Sequence, residues 1–600
     1  MNARENVRRM VAFNHPDSRG CARLNQIALM LFFLMEVAVV HAKTYTIRPD
    51  DNLQEIVDSA GPGDTILLTD GIYRQTVSIR DREGPLTIAA ADGATPVFDG
   101  CDPVPGPWTK EERGVYSAAW DADPVQLFDG PRMLLEARWP NIRFSELLDR
   151  KKAFSTADHS THGQITDQAL AETGLDATGA TAILSIAHQF WTWTRPVTSH
   201  KPGSAELGYP RITVGLGGRA ANTEWDGNWY ALRGSEALLD APGEWLWRDG
   251  RLRVIPIDGV APDHVRAKKR TYAFQAKGVT GLTLRGIEFR ACTIDVEASE
   301  SCTVEACRFY FPVAIRDIAE EAEQAGRSPM TRLDGVGHTV RDCVVAFSPG
   351  AGLALTGSRH VVEDCWVHHV NWYGTLRYCG VSLCGVGDEL TVGERNAGNH
   401  IRYCLVERGG NTLVGVSEQA DSSAGYCHIR DGGMACKDVS LLYTQYPSTT
   451  GTRFHHNWVH GCHSPEHALG IRGDDQTRGL TVDHNVVWDC AWEGILVKGD
   501  GNRVVHNTCF DNGSGAETPV QDADLLLWQR AEPRKPWRNG QAPLLDKQNA
   551  NSEVLRNAMA RMVSGRKGSG KDTLPGRVEG NVIGDIKSML ENLSTDQDIE

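Results

Sequence analysis

A seven-residue phrase recurs along the second half of this 600-residue chain. It reads TVEACRF (303–309), TVRDCVV (339–345), VVEDCWV (361–367), HIRYCLV (400–406), RFHHNWV (453–459), TVDHNVV (481–487) and RVVHNTC (503–509), with an apolar forerunner TLRGIEF (283–289) and a degenerate copy SAGYCHI (423–429). Its fifth place is held by Ile287, Cys307, Cys343, Cys365, Cys404, Cys427, Asn457, Asn485 and Asn507, at steps of 20, 36, 22, 39, 23, 30, 28 and 22 residues. Short strands at a 20–23-residue minimum, without helices between them, are the signature of a parallel β-helix. A single turn of such a chain cannot bury its apolar face. Stacked turns share one core and pair through backbone hydrogen bonds about 4.8 Å apart. The longer steps leave room for loops that wall a groove.

Stacking puts equivalent side chains on top of one another. The five cysteines then form an internal ladder that passes into an asparagine ladder, whose amides satisfy one another and the backbone. This reading makes Cys307, Cys343, Cys365, Cys404 and Cys427 small buried hydrophobes, although 15 cysteines in an exported chain would ordinarily suggest disulfides. A zinc site is not expected, because no close Cys/His cluster has finger-like spacing.

Around this ladder the chain divides into five parts. Residues 1–42 read as a signal peptide: Arg4, Arg8, Arg9, Arg19 and Arg23 precede the apolar run Ile27 to Val40, and Val40-His41-Ala42 suits cleavage. An N-terminal membrane anchor is the alternative. No later stretch reaches the roughly 18 apolar residues of a spanning helix, so stable membrane insertion is not expected after cleavage. Residues 43–100 supply the first coils and their cap, with a short helical segment near Asn52–Ala60. Over 101–270 the period vanishes and tryptophans abound, which suggests an inserted, mostly antiparallel β module. The main helix runs over 271–513, and 514–600 is irregular with a candidate last coil at 576–583. A net charge of −15, from 62 Lys+Arg against 77 Asp+Glu, argues against a nucleic-acid partner.

The segment GDTILLTDGIYR followed by LTIAA resembles the first coils of secreted chondroitinase B-type polysaccharide lyases. The phrases LEARWPN (135–141), LLDAPGEWLWRDGRLRVIP (238–256), KDVSLLYTQ…GTRFHHNWVH (437–460) and GIRGDD…HNVVWD (470–489) resemble bacterial β-helix proteins grouped with glycoside hydrolases. The resemblance covers about residues 44–513. It implies an all-β, right-handed parallel β-helix of the pectate-lyase-like kind, acting on a polysaccharide.

Candidate chemistry sits where coils with a Gly-apolar start are aligned. Gly433–Asp438 over Gly470–Asp475 over Gly494–Asp500 brings Lys437, Asp474 and Lys498 into one column, with Asp438, Asp475 and Asp500 beside them. In a hydrolase, one carboxyl protonates the leaving oxygen and a second acts as nucleophile or base. Asp474 or Asp475 would pair with Asp438 or Asp500, with Glu493 and Glu466 as outside candidates. In a lyase or epimerase acting on a uronate polymer, Lys498 or His467 would be the base, Arg472 would neutralise the carboxylate, and the aspartates would be Ca²⁺ ligands. The same strip also fits a salt-bridge ladder without catalysis, as in a glycan-binding adhesin. His455, His456, His460, His463, His467 and His484 cluster on two coils, where turn and core roles outweigh a metal site. Trp372 and Trp492 are the aromatic residues expected near a cleft. The hydrolase leads these alternatives, because no complete lyase signature such as an Arg-His-Gly run is present.

Overall fold

The computed structural model describes residues 42–186, 188–212, 226–318, 330–376, 378–383, 396–417, 419–515, 523–530, 551–559, 562–567, 577–579 and 581–583. The export signal read over 1–42 lies outside the described residues apart from Ala42. The chain from Thr44 onward forms one unit. It winds through three parallel sheets in a fixed order. The first sheet stacks 14 strands from Thr44–Ile47 to Arg577–Glu579, the second 13 from Gly71–Tyr73 to Val582–Ile583, and the third 12 from Val77–Arg82 to Met562–Lys567. Each coil visits the first, second and third sheet in turn before rising to the next, so the fold is a right-handed parallel β-helix. Among the described residues no helix is long and apolar enough to cross a membrane.

The alternation of inward and outward residues follows from the pleat. In the second sheet Phe98, Phe289 and Phe309 stack inward at centroid distances of 5.9 and 4.5 Å, and Val345, Val367, Val406, Ile429, Val459 and Val487 extend the column. These columns belong to one continuous apolar core. Each fully buried Val, Ile or Phe contributes about 1.5–3 kcal/mol of transfer free energy. Leu53 and Val57, on the helix Leu53–Ser59, bury the same core's first coil, and Asn52 caps that helix by accepting from the Glu55 N–H.

Between the first and second sheets the chain turns on one left-handed residue. Asp342, Asp364, Tyr403, Tyr426, His456, His484 and His506 hold φ between 53 and 57° there. The next residue then points inward, and this is the ladder. Cys307, Cys343, Cys365, Cys404 and Cys427 are buried, and each thiol lies 3.1–3.3 Å from the carbonyl two residues back. All 13 described cysteines are buried and free of disulfides. At Asn457, Asn485 and Asn507 each Oδ1 accepts the backbone N–H of the preceding rung at 3.0 Å. Two rungs beyond those read from the sequence, Asn557 and Asn581, continue the ladder at 2.9 and 2.8 Å. A second polar seam runs between the third sheet and the first. There the backbone N–H of His338 donates to His360, that of His360 to Asn399, that of Asn399 to Ser422 and that of Ser422 to Thr452, over 2.8–3.4 Å.

Between Asp99 and Tyr272 the chain leaves the solenoid. Its strands form sheets of eight, five and three members. Neighbours run antiparallel except Leu135–Glu136 beside Glu244–Trp245. This insert rests against the turns that join the second sheet to the third. Gln126 donates to the Val313 carbonyl (2.8 Å), Thr192 to the Tyr373 carbonyl (2.6 Å) and the Lys437 N–H to the Gln189 carbonyl (2.9 Å). The candidate residues lie on the same corner of the solenoid.

Candidate active site

The chain corners sharply before each strand of the third sheet. Asp438 and His467 occupy such corners with φ of 50 and 48°, and Trp492-Glu493 forms the next one up. The corners are tied together: the Asp438 N–H donates to the Glu466 carbonyl (2.9 Å), the Trp492 N–H to the Ala468 carbonyl (3.0 Å) and the Gly470 N–H to the Glu493 carbonyl (3.1 Å). Immediately after them, Tyr443, Arg472, Asp474 and Lys498 project from the outer face of the third sheet.

Arg472 is the hub. Its guanidinium bridges Asp438 Oδ1 at 2.6 Å and Asp474 Oδ2 at 2.7 Å. Lys498 closes on the other Asp474 oxygen at 2.5 Å and lies 3.8 Å from Asp475. The Tyr443 hydroxyl donates to Asp474 at 3.3 Å. Both Asp474 oxygens therefore face a cation, whereas Asp438 has one oxygen engaged by Arg472. Burial would raise both carboxyls. Arg472, with His467 and Lys498 nearby, instead holds Asp438 below its ordinary value, and Arg472 with Lys498 holds Asp474 well below it. Burial lowers His467 despite Asp438, and its ring packs on Trp492 at 4.2 Å.

Glu493 is different. It is 1% exposed, and burial pushes its carboxyl up to about 7 even though Arg472 and Lys498 pull the other way. Among the described residues its Oε2 has no hydrogen-bond partner, and neither has the indole N–H of Trp492. Buried polar atoms are normally satisfied, and at this corner Arg472 Nε and Asp474 Oδ1 also lack a hydrogen bond among the described residues. A carboxyl poised near neutrality beside carboxylates held ionised is the arrangement that separates a proton donor from a proton acceptor.

The insert walls this corner. The Trp229 ring lies 5.5 Å from the Lys437 ammonium and 4.1 Å from the Arg150 guanidinium, and Lys437 pairs with Glu466 at 2.6 Å.

The structure brings Asp438, Glu466, His467, Arg472, Asp474, Asp475, Glu493 and Lys498 to one corner, but the register differs from the Gly-aligned one. Gly470–Asp475 and Gly494–Lys498 do align, with Ile471 opposite Ile495 and Gly473 opposite Val497. The lower coil does not. Val439 pairs with Ala468 and Gln445 with Asp474, because residues 433–438 form the corner and not a strand. Lys437 therefore faces Glu466 and the insert, not Asp474. Asp500 also leaves the strip: beyond Gly499 (φ 110°) it turns away, and its carboxylate accepts from the Asn551 N–H and side-chain amide, each at 2.7 Å. Trp372 and Trp492 are 6% and 2% exposed, so neither presents an open face to solvent; Trp372 packs edge-on against Phe144 at 5.4 Å. Tyr443 and Arg150 were not among the residues singled out from the sequence; Trp229 is one of the tryptophans noted in the insert, some of which were expected to face a cleft. Tyr443 stands within the phrase SLLYTQ, whose alternation marks it as outward, but nothing local links the two insert residues to residue 437.

Residues 272–519 match the family model described as right handed beta helix region. No curated protein matches the chain. A solved glycoside hydrolase is 15% identical over 90% of this chain and 97% of its own, with a TM-score of 0.51. XylC in complex with xylose is 13% identical (93% and 80% covered, TM-score 0.39), and a mannuronic acid-specific family 6 polysaccharide lyase from the human gut microbiota is 11% identical (91% and 88%, TM-score 0.36). At 15% identity the likeness to the glycoside hydrolase is one of fold, and residues 272–519 carry the right-handed parallel β-helix in their sequence as well as in their structure.

Proposed function

We propose that the protein is an exported glycoside hydrolase acting on a polysaccharide, with Glu493 as general acid and Asp438 as its partner carboxylate. The observation that carries this reading is the split between the two groups. Glu493 is buried, held up to about 7 and left with an unpartnered oxygen, while Asp438 is held ionised by Arg472. In the reaction the Glu493 proton passes to the leaving glycosidic oxygen. Asp438 takes a proton from the water that attacks the anomeric carbon. Asp474, clamped by Arg472, Lys498 and Tyr443, positions Arg472 and so Asp438.

The cations of the corner favour hydrolysis over elimination. Arg472 is matched by Asp438 and Asp474, Lys498 by Asp474 and Asp475, and Lys437 by Glu466. A lyase needs positive charge in excess to neutralise the uronate carboxylate at the bond it breaks. Here the charge of these three side chains is already compensated, which suits a neutral sugar at the cleaved bond.

The test incubates the mature chain with plant, algal and animal polysaccharides, with and without a calcium chelator. New reducing ends without ultraviolet-absorbing unsaturated products, insensitive to the chelator and lost in Glu493→Gln, are the expected result. Unsaturated products would make the enzyme a lyase. Absence of cleavage, with glycan binding unchanged in Asp438→Asn, would make it a binding protein.

A further inference from the structure

A cavity lies on the same corner of the solenoid, lower in the stack. The insert lines it with Glu136, Arg138, Phe154, Arg233 and Trp245, and the solenoid with Trp372 and Tyr373. Glu136 is shared by Arg233 (3.5 Å) and Arg316 (3.0 Å); Arg233 also pairs with Asp317 (3.8 Å), and Arg316 with Asp123. Arg138 has no such partner among the described residues. It is 9% exposed, forms no ion pair, and donates to the Ala153 carbonyl at 2.6 Å. Glu244 lies near it, but its oxygens accept from the backbone N–H groups of Arg138, Asp240 and Ala241 (3.1–3.2 Å). Burial lowers the Arg138 guanidinium to about 10, so it stays charged at neutral pH.

A guanidinium carries five N–H donors in a planar fork matched to carboxylate and sulfate oxygens. Burying one with a single backbone acceptor is costly unless an anion completes it. The surrounding rings keep their polar tips occupied: the Trp245 and Trp372 indoles donate to Leu134 (3.3 Å) and His369 (2.9 Å) carbonyls, and the Tyr373 hydroxyl to that of Ile315 (2.9 Å). A carboxylate or sulfate group carried by an acidic sugar would complete the fork.

We propose that this cavity is an anion subsite in which Arg138 receives the carboxylate or sulfate of an acidic sugar. The Tyr373 and Asp438 corners are two coil steps apart, roughly 10 Å. The insert's apolar cluster borders both places: Phe154 lines the cavity and Trp229 stands beside Lys437. The polymer of the proposed hydrolase would then carry acidic groups away from the bond that is cut. The existence of the subsite does not rest on the hydrolase reading; the assignment of its ligand to the substrate does.

The test titrates the mature chain with sodium glucuronate and with sodium sulfate at constant ionic strength in chloride, followed by calorimetry and by tryptophan fluorescence. Parent and Glu493→Gln proteins should bind one or both saturably. Arg138→Gln and Arg138→Lys should bind about tenfold more weakly or worse, because neither keeps the fork. Competition between glucuronate and polymer cleavage would assign the anion to the substrate; sulfate binding without effect on cleavage would assign it to a free anion. Circular dichroism of each variant checks folding, and Arg138→Lys decides if Arg138→Gln does not fold. Absence of saturable binding by the parent, or equal binding by the folded Arg138 variants, would overturn the proposal whatever the cleavage assays give.

Discussion

Replacing Glu493 by glutamine removes a proton donor and also a strained charge, and the two effects have opposite signs. A carboxyl raised from its ordinary 4.5 to about 7 prefers its neutral form by about 3 kcal/mol in the folded state. Linkage sets the direction. Between pH 4.5 and 7 the folded chain binds this proton and the unfolded chain does not, so the contribution is fully present below 4.5 and is lost as pH rises through 7. Above pH 7 the ionised carboxylate costs the fold about that same 3 kcal/mol. Glutamine keeps the shape and has no charge to bury. Glu493→Gln should therefore match the parent's stability at pH 4 and exceed it by up to about 3 kcal/mol at pH 8. The assay is urea unfolding of both proteins across that range, read as a difference. Buried His338 and His360, both lowered by burial, weaken the two proteins equally in acid and cancel. Activity in the same preparations should fall by about 10²–10⁴-fold. A variant no more stable than the parent at pH 8 would show that Glu493 is not held neutral, and the assignment of the acid would fall with it.

Three further outcomes are expected. Asp438→Asn should cost at least about 10²-fold in the rate of reducing-end release, whereas Asp475→Asn, which touches the network at 3.8 Å, should stay within a few-fold; equal losses would move the partner carboxylate away from Asp438. The backbones of Asp438 and Glu493 stand two coil steps apart, roughly 10 Å, which matches the wider carboxyl spacing of inverting enzymes, so proton NMR should detect the inverted anomer first and retention would require a nearer nucleophile. Asn485→Ala deletes five side-chain hydrogen bonds and strips the Asn457 N–H of its acceptor; it should cost about 3 kcal/mol and speed hydrogen exchange at the Asn457 amide, and unchanged exchange there would contradict the ladder's energetic role.

The asparagine half of the ladder was legible because its inward residues bond to their own copies, which forces the same residue type to recur at the same place in each coil; the cysteine half recurs because each thiol meets the carbonyl two residues back. The second seam, through His338, His360, Asn399, Ser422 and Thr452, does the same work with changing residue types, so no phrase repeats and the sequence carries no signature of it. The residues of the candidate site were legible as a set, since charge on a solenoid face stands out from its neighbours. Their partners were not. Whether Gly433–Asp438 is a strand or a corner depends on the length of loop before Val439, and a Gly-apolar start fits either. Asp500 looked equivalent to Asp438 in that alignment, but the backbone turn at Gly499 points it to Asn551. The approach of Trp229 to Lys437 joins residues from two separate stretches of chain, and periodicity carries no information about such a meeting.

The asparagine seam has a consequence for how this kind of protein changes length. Each rung receives from the rung before and gives to the rung after through the same two atoms, so any rung can follow any other. A duplicated or deleted coil meets a matching surface at both cuts, provided that it is whole; a partial coil leaves a backbone N–H unanswered in the core. Length then behaves as a copy number. Descendants of such a chain can gain or lose reach in steps of one strand spacing, with the corner that bears Asp438 and Glu493 carried along intact.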